Sequence, residues 1–203
     1  TGDTNVLIGT EAGQSLTTTA STICIGYEAL GTDNDSAIVG GLGNIFIGHQ
    51  AGKLATTNSD SVTDAIFIGQ GAGSNFEGDV SGSIGIGRNA LAASRGQNNI
   101  VIGRLSGDNP DIYGNLNIIL GYNSEVSANA ATGQILFGNS ITGTADNTTI
   151  IANNHIILDT ANTITLDSAD GTFVAKKDGT EFSAANSAYA GMILGYTRLE
   201  GDL

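Results

Sequence analysis

Eight times between Asn5 and Gly138 the chain repeats a short apolar phrase closed by glycine, and no other feature limits its fold so tightly. The copies are N-V-L-I-G (Asn5 to Gly9), T-I-C-I-G (Thr22 to Gly26), N-I-F-I-G (Asn44 to Gly48) and A-I-F-I-G (Ala65 to Gly69). They continue as S-I-G-I-G (Ser83 to Gly87), N-I-V-I-G (Asn99 to Gly103), N-I-I-L-G (Asn117 to Gly121) and Q-I-L-F-G (Gln134 to Gly138). Successive glycines lie 17, 22, 21, 18, 16, 18 and 17 residues apart. A fixed core with elastic spacers implies stacked units, each touching only its neighbours, in a solenoid.

Each phrase is too short for a helix, and its β-branched residues favour a strand of about four residues that stops at a glycine turn. A small residue follows three positions after the glycine: Ala12, Ala29, Ala51, Ala72 and Ala90, then Ser106 and Ser124. A helical crossover does not fit in the polar spacers, so the sequence predicts coils of two short strands each, stacked in parallel at about 4.8 Å, about 40 Å for eight rungs. Side chains alternate across a strand. One face would carry the flanking pairs, from Val6/Ile8 to Ile135/Phe137, and these are expected to fill the coil. The other would carry the central residues Leu7, Cys24, Phe46, Phe67, Gly85, Val101, Ile119 and Leu136. Seven of those eight are apolar, so the expectation is a second dry face covered by copies of the same chain, with Leu7, Cys24, Phe46, Phe67, Val101, Ile119 and Leu136 as the subunit interface.

Composition narrows the function. A net charge of −13, with seven Lys plus Arg among 203 residues, argues against nucleic acid, whose phosphates need basic partners. The longest apolar runs of about four residues fall far short of the roughly 20 that a membrane-spanning helix needs, so no membrane insertion is expected. No signal-peptide pattern opens the chain, and the sole methionine, Met192, suggests that further sequence precedes Thr1. Cys24 is alone and has no intrachain disulfide partner.

The phrase N-x-x-I-G-x-x-A resembles the head repeat of trimeric autotransporter adhesins of the YadA type, over roughly Thr1 to Thr142. The resemblance implies a parallel β-roll that assembles as an obligate homotrimer, although the units here are longer and carry loops. From Thr148 the phrases T-I-I-A, H-I-I-L-D and T-I-T-L-D place Ile150, Ile157 and Ile164 seven residues apart. This is similar to the slender intertwined shafts of phage fibres, and the segment from Ala169 to Leu203 is similar to C-terminal regions of phage fibre-like proteins. The resulting expectation is an all-β solenoid: a β-roll over 1–147, a thinner intertwined β neck over 148–170 and a C-terminal cap or linker over 171–203. Its function would be that of a structural component of a phage fibre or similar virion appendage, with other fibre or tail proteins as partners. The alternatives are the head of a bacterial trimeric adhesin, at the bacterial cell surface, and a glycan depolymerase tailspike.

Catalytic, metal and cofactor sites are not expected. His49 and His155 are too far apart in a rod to share a site. His49 follows the turn glycine, where other copies carry Thr10, Tyr27, Gln70, Arg88, Arg104, Tyr122 and Asn139, a solvent-facing register. The acidic pairs Asp33/Asp35, Asp60/Asp64, Glu77/Asp79 and Asp108/Asp111 could in principle cleave glycans, yet all fall in spacers, where solvated loops account for them. The stretch Gly107 to Asn115 offers Asp108, Asn109 and Asp111 as oxygens but lacks the rest of a calcium-loop frame. Glycine clusters such as Gly69 to Gly73 have no following helix and no G-K-[ST], so they are turns rather than phosphate cradles. Contact with a host-surface glycan is assigned to Tyr27, Asp33, Asp35, Tyr113 and Tyr122, with the long spacers Gly31 to Gly43 and Lys53 to Asp64 projecting furthest.

Overall fold

The computed structural model describes residues 4–14, 16, 21–31, 42–53, 62–76, 78–108, 114–127, 130–151, 176–177 and 180–181. The chain divides into two units, Thr1–Ile156 and Ile157–Leu203. In the second, β10 (Lys176–Lys177) pairs antiparallel with β11 (Thr180–Glu181). The first is a β-solenoid built on one nine-stranded parallel sheet, and no helix occurs among the described residues. Its strands are β1 (Val6–Ile8), β2 (Ile23–Ile25), β3 (Ile45–Ile47), β4 (Ile66–Ile68), β5 (Ile84–Ile86), β6 (Ile100–Ile102), β7 (Ile118–Leu120), β8 (Ile135–Phe137) and β9 (Thr149–Ile151). They lie side by side in sequence order.

Register follows the repeat residue for residue: Cys24 faces Phe46, Phe46 faces Phe67, and Phe67 faces Gly85. Thr149–Ile151, expected to open the neck, instead pairs in register with β8 as a ninth rung. The rest of the expected neck and nearly all of 171–203 lie outside the described residues. The expectation of two strands per coil is also corrected: the described residues carry one strand of three residues in each coil. The ladder nevertheless runs on round the turn. The amide of Leu30 donates to Ala51 O (2.8 Å), that of Gly52 to Ala72 O (2.8 Å), and that of Gly73 to Ala90 O (2.9 Å). Backbone groups that a second strand would satisfy are thus satisfied by stacked turns.

The faces of the sheet are the reverse of the sequence expectation. Cys24, Phe46, Phe67, Val101, Ile119 and Leu136 are 0–1% exposed within a single chain, so they form the interior of the coil and not a subunit interface. Leu7 has the same orientation but is 47% exposed, because β1 has a neighbouring rung on one side only. The flanking Ile, Leu and Phe residues, expected to fill the coil, are half-buried or exposed and point outward. The physical reason is volume. The central residue and the residue six positions later meet inside the same coil, and their sizes trade off: Leu7 with Gly13, Phe46 with Gly52, Phe67 with Gly73 and Val101 with Gly107. A Cβ placed on Gly52 or Gly73 would enter the Phe46 or Phe67 ring. Where the central residue is small, as at Cys24 and Gly85, the later one is the buried Leu30 or Leu91. Phe46 and Phe67 do stack as the register demands, their centroids 5.6 Å apart and their planes tilted by 55°, and Phe76 joins them 6.4 Å from Phe67.

A polar rank lies beside this core. The residue before each strand shares the inward parity, and there Asn44, Asn99, Asn117 and Gln134 are buried. Asn44 Oδ1 accepts from the Ala65 amide (2.9 Å) while its Nδ2 donates to Val62 O (2.6 Å). Asn99 Oδ1 accepts from the Asn117 amide (2.9 Å), and Asn117 Oδ1 from the Gln134 amide (2.9 Å). Burying an amide side chain costs about 1–3 kcal/mol unless its bonds are met; here the three asparagines link one coil to the next, and Gln134 Nε2 donates to Ser127 Oγ (2.6 Å).

The corner glycine has its own requirement. Gly48 has φ of +137°, and a Cβ there would lie 2.5 Å from Gly69 O in the next coil. Stacking at this spacing therefore demands glycine at this corner from the first coil to the seventh, where each Cβ would meet the carbonyl of the next corner.

Candidate functional site

Two surfaces of the solenoid are available to act on something else. The first is the outer face of the nine-stranded sheet. Two columns, led by the first and third residue of each strand, cover it, and every member is aliphatic or aromatic except Thr149. No charge interrupts them over nine rungs. Val6, Ile8, Ile102 and Ile151 are 44%, 57%, 41% and 51% exposed, Thr149 is exposed as well, and the others are half-buried by their neighbours above and below.

The second surface is the column just after the corner glycines: Thr10, Tyr27, His49, Gln70, Arg88, Arg104, Tyr122 and Asn139. Its register is fixed by the amide of the following residue, which donates to the column carbonyl of the coil before, as in Leu105 N–H to Arg88 O (2.9 Å) and Asn123 N–H to Arg104 O (3.0 Å). Side chains therefore sit one above another. Tyr27 and His49 stack with centroids 5.4 Å apart, and the Arg104 guanidinium lies 4.6 Å from the Tyr122 ring centroid.

Beside Tyr27, Glu28 Oε2 accepts from Lys53 Nζ (2.6 Å) and Gln50 Nε2 (2.8 Å). Lys53 first, then Gln50, hold its carboxyl down at about 2. The adjacent Glu28 carboxylate in turn raises the Tyr27 phenol. Cys24 lies in the core, where burial pushes its thiol up to about 12, so it is kept neutral and unreactive.

Of the residues assigned to glycan contact, Tyr27 and Tyr122 are exposed in this column, five coils apart and on separate patches. Asp33, Asp35 and Tyr113, like most of the two long spacers, lie outside the described residues. Of the described members of the acidic pairs, Asp79 accepts from the Ser81 amide (2.8 Å) and Gln97 Nε2 (2.7 Å), while Asp64 and Asp108 donate through their backbone amides to Leu42 O (2.9 Å) and Glu125 Oε1 (3.2 Å). No group of three or more His, Cys, Asp or Glu side chains placed to hold a metal occurs among the described residues, and no described helix is long and apolar enough to cross a membrane. The interstice among Leu91, Val101, Ile119 and Val126 is too small for a water molecule. Sequence reasoning missed the outer face because it took those columns for core. The size trade between central residues and those six positions later was the signal that could have found it.

Compared with protein-family models, curated proteins and solved structures, the chain matches none.

Proposed function

We propose that the chain is a structural segment of a fibre-like surface appendage, in the first instance a virion fibre, assembled as a homotrimer through the outer face of its sheet. The observation that carries this reading is the pair of uncharged apolar columns running the length of the solenoid. Nine rungs about 4.8 Å apart and three residues wide give a strip of about 43 by 10 Å, or about 400 Å². Burying it against neighbours contributes about 10 kcal/mol before the losses of association. Closed symmetry lets copies of such a strip bury one another and leave none exposed. The N-x-x-I-G repeat and its resemblance to adhesin heads support the trimer; the seven-residue spacing from Ile150 to Ile164 and the C-terminal segment support the fibre. In this reading the chain has no catalytic role, its further partners are other fibre or tail proteins, and it works outside the host cell. The repeat alone favours the second reading, the head of a bacterial trimeric adhesin.

The test is the mass of the full chain in solution at micromolar concentration. Three chains per particle is the expected result, and a stable monomer overturns the reading.

A further inference from the structure

Arg88 and Arg104 occupy the post-glycine column on consecutive coils, exposed, with their backbones held in register by the Leu105 amide. Like charges directly opposite on neighbouring strands oppose each other. In a chain with 20 Asp plus Glu against seven Lys plus Arg, a carboxylate beside them would be easily supplied. None is: neither arginine forms an ion pair with a described carboxylate, whereas Lys53 is neutralised by Glu28. One rung further on, the Arg104 guanidinium carbon lies 4.6 Å from the Tyr122 ring centroid, a cation–π contact that fixes the cation over the ring without using its hydrogen-bond donors on a carboxylate. The Tyr122 ring is itself 40% exposed.

We infer that Arg88, Arg104 and Tyr122 form a binding site for an acidic glycan, one whose sugar units carry carboxylates. Each guanidinium offers a planar fork of N–H donors that matches the two oxygens of a carboxylate. The exposed part of the tyrosine ring gives the apolar face of a sugar a surface to rest on. Two cations on adjacent rungs select an anion over a neutral sugar, and the distant negative charges of the chain are screened beyond about 8 Å at physiological salt. The inference rests on the proposed appendage role, since that role brings this column to a foreign surface, and it names the class of ligand met there.

The full chain is tested against immobilised polygalacturonate, dextran sulfate and neutral dextran at about 0.15 M salt. Retention on polygalacturonate and none on dextran is expected. Arg88→Gln/Arg104→Gln should weaken that binding at least about tenfold, Tyr122→Ala should weaken it less, and Lys176→Gln/Lys177→Gln, which removes the same number of charges without changing these three residues, should leave it unchanged. Binding to dextran sulfate alone overturns the carboxylate assignment. Binding to neither polyanion, or equal binding by the double arginine variant, overturns the site. Particle mass measured on the same samples separates the two ideas: failure to bind at an unchanged trimer mass counts against this site and not against the assembly.

Discussion

Glu28 is the residue whose chemistry the coil alters most clearly. Lys53 and Gln50, both from the next coil, donate to the same carboxylate oxygen, and so the carboxyl titrates at about 2 in place of 4.5. Because the folded value is depressed, the resulting stabilisation is fully present above the ordinary carboxylate range and is lost as pH falls toward about 2. The thermal midpoint of the wild-type protein should therefore drop more steeply between those two pH values than that of Glu28→Gln. Other carboxylates affect both proteins equally, so parallel curves would show that the contact between coils contributes nothing.

At the scale of the element, the unit is a coil whose cross-section is filled once. Phe46 with Gly52 and Cys24 with Leu30 are two ways of filling the same space. Phe46→Cys alone should cost about 3 kcal/mol as a cavity, and Gly52→Leu alone about 1–3 kcal/mol as overpacking against the ring. Together they recreate the second coil's filling inside the third, and Leu30 shows that leucine accepts the left-handed backbone there, with φ of 52° against 65° at Gly52. The double variant should recover about 1–3 kcal/mol relative to the sum, read from denaturant midpoints; additive costs would contradict the shared volume. The same pair explains what was legible in the sequence. The positions, order and register of β1 to β8 follow from the eight glycine-closed phrases, whereas β9, which no glycine closes, was not legible as a ninth rung. Sidedness did not, because a three-residue strand that is apolar on both faces gives period two without a sign. The sign was held by Gly52, Gly73, Leu30 and Leu91, and by the asparagines before the strands, whose burial is not apparent until the ladder that satisfies them exists. Tyr27 and Tyr122 were legible as surface from their variable register, whereas the pairing of Arg104 with Tyr122 needed the stacking of coils.

At the scale of the whole molecule, the reversal of faces changes which substitutions should break what. The constant isoleucines lie on the outside, where nothing in a single coil requires them to be alike, and the variable residues lie on the inside, where neighbours compensate for them. A continuous aliphatic columnar face suits contact between copies of the chain. An aspartate placed on it should harm assembly far more than folding, since one such substitution on a half-buried strand face costs about 1 kcal/mol. An aspartate at Phe46, inside the coil, leaves a charge buried among Cys24, Phe67 and Ala51 and should unfold it. Sedimentation of Ile47→Asp/Ile86→Asp, two rungs apart on the same column, beside the wild-type protein, with the far-ultraviolet spectrum recorded on both, tests the outer face as the assembly surface. The account predicts a trimeric wild type and a monomeric variant with the same β spectrum; a variant that remains trimeric would contradict it.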